Sequence, residues 1–236
     1  MTELAVTEPA MTQPASQSSR LPIDVVSDVV CPWCFIGKRR LEKAIAMVPE
    51  IPVEVRYHPY FLNPWVPREG MSRADYLTTK FGSVERYKGI AGRVQAAAAS
   101  EGLTYALELD ARQPNTIDAH RLILWANDGG DPAKMKQRLM ELYFSEGGDL
   151  TDREVLVQAA VEAGLDSDRV RELLAGDVDV DRVTAAAEQA KNDGIDGVPT
   201  FILGGVLAVS GAQEPATLAN AIRQAAVEYA NRAAAE

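Results

Sequence analysis

Cysteine is nearly absent from this chain: two residues in 236, Cys31 and Cys34. That scarcity excludes a disulfide framework, and a bridge closing so short a loop would restrain little of the unfolded chain. A structural zinc site wants four ligands, and only His58 and His120 remain to complete one, both far from the cysteines in sequence. Positive charge is also in deficit. Lys and Arg number 24 against 34 Asp and Glu, a formal net charge of -10. No basic stripe exists to displace counterions from nucleic acid, and an anionic membrane surface would repel the chain. No apolar run approaches the roughly 20 residues of a membrane span. A repeat of fixed period is lacking, as is any Pro-rich or Gly/Ser-rich linker. The first 20 residues, rich in Thr, Ser, Gln, Pro and Ala, have no basic start, apolar stretch or cleavage site of a secretory signal. They read as a disordered tail, and the expected compartment is the cytoplasm, where a lone cysteine pair is more often catalytic than structural.

What is present is a chain 47% apolar and 25% charged, enough for one good core or a core with a second lobe. Leu21 to Val30 reads as a buried strand, with Ile23, Val25 and Ser27 on one face and Asp24, Val26 and Asp28 on the other. Cys31-Pro32-Trp33-Cys34 follows. Pro32 suits the first helical position, and Ile36, Leu41, Ala44, Ile45 and Val48 then recur at helical spacing up to Pro49. Val53 to Leu62 alternates as a second strand, so residues 21–65 form a βαβ unit.

From about 66 to 176 the period is helical, and an all-helical lobe is expected. Ser72, Thr116, Asp131 and Thr151 mark helix starts, the last as a capping box with Glu154, and Gly102, Gly129-Gly130, Gly147-Gly148 and Gly164 mark helix ends. Residues 177–236 return to a helix at Val180–Asn192, two short strands around a two-residue Gly204-Gly205 turn, and a final helix over Glu214–Ala233. Without the lobe, βαβ plus ββα is the thioredoxin arrangement. The expected fold is α/β, a thioredoxin fold with a large inserted helical domain.

Two thiols two residues apart, where a strand turns into a helix, point to thiol–disulfide exchange. Such exchange needs an attacking thiolate and a second thiol to release the mixed disulfide. Cys31, at the helix N-terminus, is assigned as nucleophile and Cys34 as resolving thiol. Pro32-Trp33 supplies no histidine, so depression of the Cys31 pKa is expected to come chiefly from the helix terminus. Gly197-Val198-Pro199-Thr200 enters the strand expected beside the cysteines, and a cis Val198–Pro199 bond there would present Val198 to an incoming extended chain. Pro32, Trp33, Val198, Thr200 and His120 are therefore the expected substrate contacts, His120 reading alternatively as a satisfied interdomain histidine. Trp33 is read as an apolar platform, Phe35 and Phe61 as core, His58 as a surface residue, and Lys38-Arg39-Arg40 as a solvated helix face. Ser210-Gly211-Ala212-Gln213 reads either as a capping box or as an N-terminal anion site for the γ-glutamyl carboxylate of glutathione, held by Val198, Ser210 and Gly211.

The stretches Ser27 to Arg40, Ala119-His120-Arg121, Gly194 to Phe201 and Ser210 to Gln213 together resemble the FrnE branch of the DsbA-like thioredoxin family, over about residues 21 to 230. The resemblance implies a cytoplasmic thiol–disulfide oxidoreductase or isomerase, with Cys31 and Cys34 as the active pair and Pro199 as the cis-proline. It implies no tightly bound cofactor beyond a redox-active disulfide, with glutathione as an optional co-substrate. The implied partners are protein or peptide thiols and a thiol reductant or oxidant for recycling. The chain departs from its relatives in two ways. It has no second cysteine pair near the C-terminus, and Val25 stands where many thioredoxin-fold enzymes carry a buried acid, leaving Asp24 or Asp28 as proton shuttle. The competing readings are a glutathione-dependent isomerase or transferase of small aromatic molecules, like the 2-hydroxychromene-2-carboxylate isomerases and kappa-class glutathione transferases, and a redox-independent peptide-binding chaperone.

Overall fold

The computed structural model describes residues 20–106 and 111–235. The N-terminal tail read from sequence therefore lies, but for Arg20, outside the described residues. Strand β1 (Leu21–Ser27) leads through the cysteine turn into helix α1 (Pro32–Ala46), which returns to β2 (Val53–Pro59). β1 and β2 are parallel, Ile23 opposite Val55. Each strand is shorter at its C-terminal end than the apolar pattern suggests. Val29 and Val30 are buried but belong to the turn into α1 rather than to a ladder.

The chain next forms β3 (Met71–Ser72), α2 (Arg73–Phe81), α3 (Val84–Ser100), β4 (Arg112–Gln113), α4 (Ile117–Gly129), α5 (Pro132–Phe144), α6 (Arg153–Glu162) and α7 (Ser167–Ala175). This segment is not wholly helical: β3 and β4 pair antiparallel over two residues. Ser72 and Asp131 cap α2 and α5 as read, each side chain accepting a backbone N–H. At α6 the cap is Asp152, whose carboxylate accepts from Glu154 N, while the Thr151 hydroxyl turns to Asp149. A capping carboxylate one residue along displaces the Thr151 box.

After α8 (Val180–Asn192) the chain forms β5 (Thr200–Leu203), β6 (Leu207–Ser210) and α9 (Pro215–Ala233). The sheet order is β2-β1-β5-β6, with β5 antiparallel to both neighbours. The β5–β6 hairpin closes between Leu203 and Leu207, a three-residue turn rather than the two expected. Gly204 and Gly205 both adopt positive φ there.

Two large apolar cores result among the described residues, with two small clusters around Tyr60 and Leu77 beside them. One sits between the sheet, α1 and α9, and contains Ile23, Val25, Leu41, Phe201, Leu218 and Ile222. The other fills the helical segment with α4 to α7 side chains, and it also takes in Val29, Val30, Cys31, Cys34 and Phe35. The cysteine turn is thus the join between the two cores. Arg121 closes the far side: with no exposed surface, it donates to the carbonyls of Leu173, Gly176 and Val178 and pairs with Asp118.

Gly37 of α1 marks how tightly the last strands seat on the first helix. A Cβ there would lie 2.7 Å from Cγ of Pro199 and 3.2 Å from Cζ of Phe201. Gly37→Ala is therefore expected to lower stability by about 1–3 kcal/mol, because overpacking outweighs the helix propensity that alanine adds. Chemical denaturation measures it; a variant as stable as the wild type contradicts the close fit.

Candidate active site

Pro32 occupies the first turn of α1, where its missing N–H costs nothing, and Cys31 is the N-cap residue in extended conformation. The Cys31 thiol makes no capping hydrogen bond, although the first N–H groups of α1 favour its thiolate. Both thiols are unbridged and buried, Cys31 at 4% and Cys34 at 2% exposure. Val198–Pro199 is a cis peptide, and the Cys31 thiol lies 3.7 Å from the Val198 carbonyl oxygen. The far end of the chain thus forms the wall opposite the nucleophile. Gly211, at positive φ, donates its N–H to the Pro199 carbonyl at 2.7 Å, and the Thr200 hydroxyl donates to Gly197 O at 2.8 Å. These bonds fix the loop from both sides.

A hydrogen bond from the Cys34 thiol holds the Cys31 pKa below its ordinary value. Burial opposes it, the N–H groups of Cys34 and Trp33 assist it, and the Asp28 carboxylate pushes the other way. The helix terminus is therefore not the chief cause expected from sequence: the hydrogen bond from the second thiol comes first and the helix N–H groups add to it. Cys34 moves oppositely. Burial raises it well above the usual thiol value, as do the hydrogen bond and charge of Cys31, while Lys136 and the Asp28 backbone N–H draw it down.

Of the two acids proposed as proton shuttle, Asp24 is on the surface, paired with His58 at 2.8 Å and with Arg56. His58 is half exposed, as read. Asp28 is fully buried. It accepts the Leu62 N–H at 2.8 Å and stands 3.3 Å from His120 Nε2. Burial alone would raise the Asp28 pKa, but His120, the Leu62 N–H and Lys136 outweigh it and keep the carboxyl below its ordinary value. Burial holds His120 below its ordinary value against the pull of the Asp28 carboxylate.

Several expectations change here. His120, read as a substrate contact in the cleft or as a satisfied interdomain histidine, is the second: 3% exposed, it tilts against Phe61 and pairs with Asp28. Thr200 is buried too and is spent on its own turn. Lys38 and Arg40 are not a solvated face: α1 is covered on that side by α3 and α5, so Lys38 donates to Gln137 at 2.9 Å and Arg40 pairs with buried Glu101 at 2.7 Å. Only Arg39 of the three is open to solvent. Ser210 ends β6 and caps nothing, since α9 starts at Pro215 with Glu214 as N-cap. Of the donors read for an anion there, Gly211 has its N–H bonded to Pro199, and at the start of α9 Pro215 brings none and Glu214 adds a negative charge. Trp33 is exposed at 38% beside the cysteines; Phe35 is core as read, whereas Phe61 is only partly buried and lines a groove.

Three contributors escaped the sequence reading. Tyr105 donates its hydroxyl to the Pro32 carbonyl at 2.7 Å and stacks near Phe35 and Phe144. Gly37 makes room for Pro199. Lys136 lies within the helical core at 1% exposure, sharing the buried face of α5 with Met135, Leu139, Met140 and Tyr143. A lysine on an apolar helix face was the available signal. A groove of about 190 Å³ runs beside Phe61, lined by Asn63, Asn115, Thr116, Thr184 and Lys191; His120 lies behind it.

The DSBA-like thioredoxin domain model matches residues 22–223. The crystal structure of a probable DsbA oxidoreductase from Streptomyces coelicolor superposes at TM-score 0.80 with 34% identity, covering 89% of this chain and 91% of that one. The uncharacterized protein YwbO of Bacillus subtilis is 28% identical over 186 residues, 77% of this chain and 86% of the relative. The cytosolic disulfide reductase DsbM of Pseudomonas aeruginosa, solved with GSH, shares the fold at TM-score 0.60 and 20% identity, covering 86% of this chain and 98% of that one.

Because the Asp28 charge raises Cys31, its removal should act in the opposite direction. In a Cys34→Ser background, Asp28→Asn is expected to move the Cys31 thiolate transition, followed by absorbance at 240 nm, to lower pH. A transition that stays in place or rises would separate Asp28 from the nucleophile.

Proposed function

The chain belongs to the DSBA-like thioredoxin domain family, which supports thiol–disulfide oxidoreduction as its general chemistry, and we propose that Cys31 and Cys34 exchange disulfides with protein or peptide substrates. The observation that carries this reading is the placement of Cys31. Its sulfur is favoured as thiolate by the Cys34 thiol and by two helix N–H groups, and it faces the Val198 carbonyl across a cis peptide. Cys31 attacks a substrate disulfide, and Cys34 releases the mixed disulfide by attacking the Cys31 sulfur. The exposed Trp33 ring and the Val198–Pro199 edge flank the approach. An extended substrate chain lies along Val198 as an added strand, the mode by which backbone pairing gives affinity without sequence selection.

The donors that hold Cys31 as a thiolate also stabilise the reduced pair, so each of them favours an oxidising couple. A thiol–disulfide couple of the cytoplasm, glutathione or a dithiol protein, recycles the pair under this proposal. No helix among the described residues is long and apolar enough to cross a membrane, which agrees with a substrate met in solution.

Cys31→Ser is expected to abolish insulin reduction and refolding of scrambled substrates. Cys34→Ser should attack but not resolve, and accumulate covalent adducts visible on non-reducing gels and by mass. Full activity in Cys31→Ser overturns the proposal.

A further inference from the structure

Lys136 is among the largest fully buried side chains of the structure. It comes from α5, in the helical segment, yet its Nζ ends beneath β1 and donates to the Ser27 carbonyl oxygen at 3.3 Å. An ammonium group has three protons to donate, and among the described residues this is its single hydrogen bond. The Nζ also lies 6.0 Å from the centroid of the Tyr57 ring of β2. A buried cation held so sparsely is unfavourable unless charge balances it.

Its neighbours on α5, Met135, Leu139 and Met140, belong to the same core as Cys31 and Cys34, and the charges that act on it are those of Cys34, Asp28 just past β1, Cys31, Lys38 from α1 and His120 from α4. Burial pushes the Lys136 pKa down to about 8, and the two thiols and Asp28 pull it back up. Lys80 is less deeply placed; burial lowers its pKa, and Cys31 and Asp28 pull it back up. The geometry points to Lys136 as a positioning residue of the exchange, whose buried cation holds the negative charge as it passes from Cys31 to Cys34. This rests on the thiol-exchange reading of the pair.

Charge is conserved through the steps. The Cys31 thiolate attacks the substrate disulfide; a Cys31–substrate bond forms, the substrate S–S bond breaks, and one substrate sulfur leaves and takes a proton from water. Cys31 is now neutral, and Lys136 faces no thiolate. Cys34 gives its proton to water, its thiolate attacks the Cys31 sulfur, and the Cys31–Cys34 bond replaces the Cys31–substrate bond. The second substrate sulfur leaves and is protonated. Two electrons have passed from the pair to the substrate disulfide. Throughout, the anion that appears is next to the same cation, and the oxidised pair leaves Asp28 and Lys136 to balance each other. Without Lys136, the Cys34 thiolate would form beside the Asp28 carboxylate with no cation below it.

The test is release of thionitrobenzoate from Ellman's reagent by the reduced full-length protein in stopped flow. Attack by Cys31 releases one equivalent, and resolution by Cys34 releases the second. Lys136→Met should keep the first amplitude and slow the second phase at least about tenfold, one pKa unit of Cys34 ionisation, with its pH midpoint moved upward. Lys136→Arg restores the charge and should recover the second phase. A Met variant that resolves at the wild-type rate and midpoint overturns the inference and leaves the exchange reading standing. A wild-type protein that shows no second phase, or a Cys31→Ser variant that keeps the first, overturns the exchange reading itself and this inference with it. Should Lys136→Met fail to fold, the wild type decides by ¹³Cε titration of the buried lysine. Its midpoint is expected to be higher in the reduced protein than in the oxidised one, and equal midpoints overturn the inference.

Discussion

Negative charge placed where water is scarce is the constraint on which the site is built. Cys31 and Cys34 lie inside the helical segment's core, and Asp28, three residues before the first of them, is completely buried. A carboxylate and a thiolate so placed are each disfavoured by burial and again by each other. The surrounding structure supplies directed compensation: the Cys34 thiol and the first N–H groups of α1 at Cys31, the Leu62 N–H and His120 at Asp28, and the Lys136 cation acting on Asp28 and Cys34. None of these is a surface ion pair that solvent would screen away.

That compensation comes from distant parts of the chain, which is why the two cores meet where they do. The strand–helix turn brings the nucleophile, the cis Val198–Pro199 loop brings the opposite wall, and the helical segment brings Lys136, His120 and Tyr105. Each contributor must also be fitted sterically. Gly37 lets the Pro199 ring lie on α1, and the Tyr105 hydroxyl ties the helical segment to the Pro32 carbonyl. The long side chains of Lys38 and Arg40 end up between elements because α1 is covered on nearly every side, with buried Glu101 as the partner of Arg40.

Much of this was legible in the residues. The alternating strand at Val53, the apolar spacing of α1 and α9, and the caps at Ser72 and Asp131 are local signals, and local structure obeyed them. Cys31, Cys34 and Pro199 could be brought together because the thioredoxin order of elements implies it. What failed depends on packing between elements remote in sequence. Nothing near His120 says that Asp28, 92 positions away, will take its Nε2. Nothing near Lys38 says that α3 and α5 will cover it. The Ser210-to-Gln213 box failed for a nearer reason: Pro215 and Glu214 set the start of α9 a few residues later, and local preference for a cap gave way to proline's preference for the first turn.

The helical segment is therefore more than a cover over the cysteines. A thioredoxin-type unit with Val25 at the position of the usual buried acid has lost its own charged group behind the pair. Asp28 restores an acid, but on the turn itself and close enough to oppose the Cys31 thiolate. An acid at that distance helps only if its charge is offset at the same depth. Burial works against the charge of His120 and of Lys136 alike, and the Asp28 carboxylate pulls both back up. Both arrive from α4 and α5, which pack on one another and whose buried faces belong to a single core with the cysteines. The electrostatics of the thiol pair and the docking of the helical segment are thus one problem, solved by the same side chains.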